Sequence, residues 1–188
     1  MPLNAPNVVT WLRILLIPLL IAVFYLPDAW LSSFGKNVSA CAIFIVAALS
    51  DWLDGYLARA LNQTSAFGAF LDPVADKLVV AAALVMLLKL GRVEPVIALI
   101  IIGREIAISA LREWMARLGQ SASVAVAYVG KVKTASQMVA IPLLLFHGDV
   151  LGLFSAQRLG TLLIYVAAAL TVVSMVHYLR RALPYARG

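Results

Sequence analysis

The chain is poor in the residues from which soluble metal and redox sites are built: one cysteine, two histidines and only nine acidic residues in 188. A single cysteine excludes a disulfide framework or a cysteine-based metal site within one chain. Cys41 lies in the apolar run Cys41-Ala42-Ile43-Phe44-Ile45-Val46 and is expected to be a small buried apolar residue. His147 and His177 stand alone and are expected at segment boundaries rather than on a metal. Charge is scarce as well, at 13% against 63% hydrophobic residues, which leaves too little polar surface to cover a water-soluble domain. The formal charge of +6 is spread singly between apolar runs without a continuous basic stripe, which argues against nucleic acid and for anionic lipid or phosphate. Internal repeats and low-complexity tracts are missing. The N-terminal region lacks a basic leader and an Ala-x-Ala-like cleavage site, so its first apolar run, Val8 to Leu26, is expected to remain as a membrane helix.

What the sequence has is apolar segments of membrane-spanning length. About 20 apolar residues cross a hydrocarbon core, and six segments qualify: 8–27, 37–60, 68–90, 95–117, 124–146 and 158–180. Turn or charge signals separate them at Pro27-Asp28, Asn62-Gln63-Thr64-Ser65, Gly91-Arg92, Gly119-Gln120-Ser121 and His147-Gly148-Asp149. The expected fold is all-α, a polytopic membrane protein with six transmembrane helices in a single domain over residues 1–188. An even number of spans puts both termini on one side. The ends carrying Arg59, Arg112, Arg117, Arg180, Arg181 and Arg187 hold more positive charge than those carrying Lys36, Lys89, Arg92 and Arg158, so both termini are expected in the cytoplasm. Tyr25, Trp30, Trp11 and Tyr178 fit either interfacial anchors or ordinary packing.

Ionisable residues at membrane depth are costly and need a partner or a function. Here Asp51 and Asp54 fall late in the second segment, and Asp72, Asp76 and Lys77 early in the third. Asn7, Thr10, Arg13, Arg112, Lys131 and Lys133 fall at a similar depth, with Arg104 somewhat deeper. Asp51, Asp54, Gly55, Ala58 and Arg59 recur at i, i+3, i+4, i+7 and i+8, which is one helical face. Gly68, Asp72 and Asp76 recur at i, i+4 and i+8 on another. The short connection Ala60 to Phe67 is expected to make these helices antiparallel neighbours whose acidic faces meet. Four carboxylates in one small volume repel one another unless cations neutralise them, and oxygen donors suit Mg²⁺, Mn²⁺ or Ca²⁺. Gly55, Ala58 and Gly68 beside the acids leave room for a bulky ligand or for close helix packing. Pro73 is expected in the first turn or so of its helix, where proline is tolerated.

Taken together, Asp51-x2-Asp54-Gly55-x2-Ala58-Arg59-x8-Gly68-x3-Asp72-x3-Asp76 resembles the signature of the CDP-alcohol phosphotransferases, also called CDP-alcohol phosphatidyltransferases. All eight defining positions are present. Pro6-Asn7-x2-Thr10-x2-Arg13, Gly103-Arg104-Glu105-x6-Arg112-Glu113-Trp114 and Gly130-Lys131-Val132-Lys133-Thr134 are similar to the bacterial members that take glycerol 3-phosphate as acceptor. The sixth segment adds almost nothing to the likeness.

The resemblance implies an enzyme of phospholipid biosynthesis in the bacterial cytoplasmic (inner) membrane, with its active site facing the cytoplasm. It implies a homodimer and two Mg²⁺ or Mn²⁺ ions per subunit. The acceptor hydroxyl attacks the lipid-linked phosphorus of CDP-diacylglycerol and releases CMP. Asp51, Asp54 and Asp72 are implied as metal ligands, and Asp76 as ligand, general base or both. Asn7, Thr10, Gly55, Ala58, Arg59 and Gly68 fall to the CDP side, although helix-start capping also fits Asn7 and Thr10. Arg104, Arg112, Lys131 and Lys133 are candidates for the phosphate of glycerol 3-phosphate. Lys131 and Lys133 are about 200° apart on an ideal helix, so both enter one pocket only if the helix starts late, and Glu105 or lipid headgroups are further partners for one of them. The spacing of Glu105 and Arg112 also permits an ion pair between those two. Serine, inositol phosphate and phosphatidylglycerol are the alternative acceptors. A divalent cation transporter would also hold acids at this depth, but it leaves the ordered glycines and Arg59 unexplained.

Overall fold

The computed structural model describes residues 5–60, 66–119, 128–150 and 154–186. Within that range the side chains of 5–8, 52–60, 66, 67, 69, 128, 129, 131, 181 and 186 lie outside the description. The described residues form six α-helices: α1 (Ala5–Val23), α2 (Ser33–Ala60), α3 (Ala66–Lys89), α4 (Pro95–Arg117), α5 (Tyr128–Phe146) and α6 (Ala156–Ala182). Each coincides with one of the apolar segments.

Local chemistry sets the helix ends. α4 opens on Pro95 after an extended Glu94, where a missing N–H costs nothing. α6 opens on Ser155, whose hydroxyl accepts from the Arg158 N–H. Just beyond α3 and α4, Gly91 (φ 68°) and Gly119 (φ 73°) take the left-handed conformation that turns a chain out of a helix. α1 stops at Val23 rather than at residue 27, because the residues leading to Pro27 are biased away from helix and tighten into i→i−3 turns from Phe24 to Ile21 and Tyr25 to Ala22. Pro73 lies about two turns inside α3, not in its first turn, because α3 already starts at Ala66. Between α5 and α6, Asp149–Val150 (β1) pairs antiparallel with Phe154–Ser155 (β2), a hairpin where only a turn was expected.

The core draws on every helix, with Leu20, Phe44, Leu84, Ile101, Leu144 and Ile164 almost fully buried. α5 and α6 approach closely at Gly160, where an added Cβ would stand 2.8 Å from Leu144 Cγ and 3.2 Å from the Ala140 carbonyl oxygen. Cys41 is half-buried rather than buried, because it lies on the side of α2 that opens to an apolar groove beside Ile45 and Met138.

The bundle has two chemically different ends. At one, Arg92 donates to the Leu144 and Leu145 carbonyls at 3.1 and 2.9 Å and to Asn37 Oδ1 at 2.9 Å. It thereby ties the α3–α4 connection to α2 and caps the exposed carbonyls of α5. His147 beside it is held below the usual histidine range, first by burial and then by the Arg92 charge. Lys36 pairs with Asp28 at 2.6 Å, and Lys89 Nζ sits 3.7 Å above the Tyr25 ring. The acids of the signature lie at the opposite end.

Candidate active site

Thr10 and Arg13 are three residues apart on α1 and therefore share a face. Thr10 Oγ1 donates to Asp72 Oδ1 at 2.6 Å, and Arg13 donates to Asp51 Oδ1 at 2.9 Å. α1 thus braces one acidic residue of α2 and one of α3 from one side. The two acidic helices do contact each other, but α1 packs more extensively against both. Arg13 is 1% exposed while the Asp51 side chain is 48% exposed. Burial of a guanidinium to that degree is tolerable only with a carboxylate partner. Thr10 lies more than a turn inside α1, so it does not cap the helix start; its hydroxyl is committed to Asp72.

Asp76, one helical turn beyond Asp72, lines a cavity of about 60 Å³ together with Lys77, Glu105, Lys133 and Gln137. It lies within electrostatic reach of Asp51, Arg13, Glu105 and Lys77. Asp76 is therefore where the acidic helices meet the basic ones. Gly68 on the same face of α3 is buried.

The basic side is held by a network across α4, α5 and α6. Glu105 accepts from Lys133 Nζ and from Arg104 at 3.2 Å. The second Arg104 nitrogen donates to Ser174 Oγ at 3.2 Å, and Arg112 donates to the Tyr178 hydroxyl at 3.2 Å. Both guanidinium carbons stand over the Tyr178 ring, 5.7 and 5.5 Å from its centroid. Glu105 thus takes Lys133 and Arg104 rather than Arg112: residues seven apart on α4 are about 10 Å apart along the axis, whereas Lys133 on α5 is directly opposite. Tyr178 is 1% exposed, so it is no interfacial anchor, and α6 supplies two side chains to a site in which none of its residues was expected. Lys133 and Arg104 share the Glu105 carboxylate and Arg112 is held by the Tyr178 hydroxyl, a cluster of cations of the kind that receives an anionic ligand.

Of the residues singled out from sequence, Asp51, Asp72, Asp76, Thr10, Gly68, Arg104, Arg112 and Lys133 all lie at this end of the bundle. The side chains of Asn7, Asp54, Gly55, Ala58, Arg59 and Lys131 lie outside the described residues. Lys133 is buried and pairs with Glu105. Among the described residues no three acidic, histidine or cysteine side chains form a complete metal-ligand group. The donors present are nonetheless all carboxylate oxygens, on two helices braced by a third, which is the chemistry a hard divalent cation takes.

Carboxylates of two helices thus face a cationic cluster at one end of an apolar helical bundle. The sequence model of the CDP-alcohol phosphatidyltransferase family matches residues 3–173, and the chain belongs to that family. It is 50% identical over 184 residues to the CDP-diacylglycerol--glycerol-3-phosphate 3-phosphatidyltransferase of Salmonella choleraesuis, covering 97% of this chain and 96% of that one. The proteins of the same name from Shigella flexneri and Escherichia coli are each 49% identical over the same length, with the same coverage.

Proposed function

We propose that the chain transfers the phosphatidyl group of CDP-diacylglycerol to sn-glycerol 3-phosphate, giving phosphatidylglycerophosphate and CMP. The observation that carries this reading is the position of Asp76, in one cavity with Lys133 and Glu105 and next to the acids held by α1. The relatives' shared name supports the acceptor.

The donor's pyrophosphate sits over the acidic faces of α2 and α3. Asp51, Asp54, Asp72 and Asp76 are the oxygen donors that would hold Mg²⁺ or Mn²⁺, two ions per subunit, whose charge offsets that of the pyrophosphate and the departing CMP. Arg13 and Thr10 fix Asp51 and Asp72 in place. Asn7, Gly55, Ala58, Arg59 and Gly68 complete the CDP side, with Thr10 acting through Asp72. Arg104, Arg112 and Lys133 receive the acceptor's phosphate, with Lys131 on the same helix. Asp76 takes the proton from the acceptor hydroxyl as that oxygen attacks the lipid-linked phosphorus and CMP leaves. The ring and hydroxyl of Tyr178 hold the two arginines as a pair.

Six spans in the bacterial inner membrane, both termini and the site on the cytoplasmic side, and a homodimer complete the proposal. Among the described residues two helical stretches, Ser33–Asp51 and Ala156–Tyr185, are long and apolar enough to cross a membrane. Every helix also turns large apolar side chains outward: Leu15, Leu49, Val85, Leu99, Val139 and Leu162 are each 50–72% exposed.

Purified protein given CDP-diacylglycerol, Mg²⁺ and a panel of acceptors is expected to release CMP with glycerol 3-phosphate. Release with serine but not with glycerol 3-phosphate would overturn the acceptor assignment and leave the reaction class standing. Tyr178→Phe, which keeps the ring and removes the hydroxyl that Arg112 contacts, is expected to raise KM for glycerol 3-phosphate by about 10-fold, with KM for CDP-diacylglycerol unchanged. An equal rise in both constants would mean that Tyr178 serves the bundle rather than the acceptor.

A further inference from the structure

Lys133 and Gln137 are four residues apart on α5 and share the face turned into the bundle, where they are 2% and 3% exposed. Lys133 is satisfied by Glu105. Gln137 is different: its side-chain oxygen Oε1 is buried and has no hydrogen-bond partner. Buried polar atoms are nearly always paired, and an unpaired one at a functional site calls for a ligand. Gln137 lines the cavity that also holds Asp76 and Lys133.

The size and chemistry of that cavity narrow the ligand. Its volume of about 60 Å³ accommodates roughly four to six water-sized groups, which matches a glyceryl fragment of three carbons and two oxygens. Lys133, backed by Arg104, marks the phosphate end, and Asp76 marks the attacking hydroxyl. An acceptor with those two ends still carries a middle hydroxyl, which needs somewhere to donate its proton in a dry site. On the cavity wall Val80 and Met138 offer no oxygen, Glu105 Oε1 already accepts from Lys133 and Arg104, and the Thr134 hydroxyl donates to the Gly130 carbonyl, whereas the Gln137 oxygen has no partner.

We propose that Gln137 is a specificity-determining residue, whose side-chain oxygen accepts a hydrogen bond from the middle hydroxyl of the acceptor and so selects a vicinal-diol phosphate over a simple hydroxyalkyl phosphate. The inference rests on the phosphorylated-acceptor reading above. A site built to bond a hydroxyl discriminates against an analogue that lacks it, because the site's own polar group is then left unpaired.

The test compares glycerol 3-phosphate with 3-hydroxypropyl phosphate, which has the attacking hydroxyl and the phosphate but no middle hydroxyl. Full-length wild-type protein with CDP-diacylglycerol and Mg²⁺ is expected to favour glycerol 3-phosphate by about 100-fold in kcat/KM, the upper end of what one unsatisfied buried acceptor costs. In Gln137→Leu the ratio is expected to fall to within about 3-fold of one, through loss of activity on glycerol 3-phosphate, with KM for CDP-diacylglycerol unchanged. Gln137→Met, which keeps the length of the side chain in a tightly packed wall, is expected to behave alike and serves if the leucine variant does not fold. An unchanged ratio in the variants overturns the role of Gln137 and leaves the transferase reading intact. Wild-type protein that releases no CMP with either phosphate overturns the acceptor reading and this inference together.

Discussion

Asp76→Asn is expected to lower acceptor-dependent CMP release by about 10²–10⁴-fold, the usual contribution of a positioned general base, while CDP-diacylglycerol still binds. The substitution keeps size and shape and removes the ability to take a proton. Asp76 is the residue for which this matters because, of the described signature aspartates, it is the one that lines the cavity with Lys133, whereas Asp51 and Asp72 are engaged by α1. Binding survives because Asp51, Asp54 and Asp72 remain to serve the donor. The paired measurement is CMP release at saturating substrates together with calorimetric titration by CDP-diacylglycerol. Wild-type turnover in the variant would remove Asp76 from the proton transfer and leave it a ligand at most.

Asp51→Asn is expected to abolish the part of CDP-diacylglycerol binding that depends on Mg²⁺. Asn keeps one neutral oxygen for the Arg13 guanidinium, so the brace between α1 and α2 is weakened without being removed. The lost charge is the one a divalent ion requires. Calorimetry with and without Mg²⁺ reads this directly: the wild type gains affinity on adding the ion, and the variant does not. Mg²⁺-dependent affinity equal to wild type in Asp51→Asn would exclude Asp51 as a ligand. The contrast between the variants, one binding without turnover and the other losing metal-dependent binding, separates the two roles within one acidic cluster.

Much of this was legible in the sequence because membrane helices have few ways to place charge. Length and apolarity located all six helices, and Gly91 and Gly119 mark ends through chemistry that a reader can see. The faces carrying Asp51 and carrying Asp72 and Asp76 followed from helical spacing alone. What did not follow was pairing across long separations. Arg13 and Asp51 are 38 residues apart, Thr10 and Asp72 are 62 apart, and Arg112 and Tyr178 are 66 apart, and no local pattern encodes such contacts. Tyr178 near the end of an apolar helix has the sequence context of an interfacial anchor, and only its burial between two arginines distinguishes it. Gln137 is a single polar residue in an apolar run, conspicuous only once its oxygen is found unpaired. The β1–β2 hairpin escaped because strands of two residues are too short to carry an alternating pattern.

The most direct measurement of the central claim, phosphatidyl transfer at the acid cluster, uses CDP-diacylglycerol carrying ³²P only at the lipid-linked phosphate. Incubated with purified protein, glycerol 3-phosphate and Mg²⁺, it is expected to deliver all the label to the new phospholipid and to leave the released CMP unlabelled, with no transfer in excess EDTA. Label in the released nucleotide, or full transfer in EDTA, would contradict it.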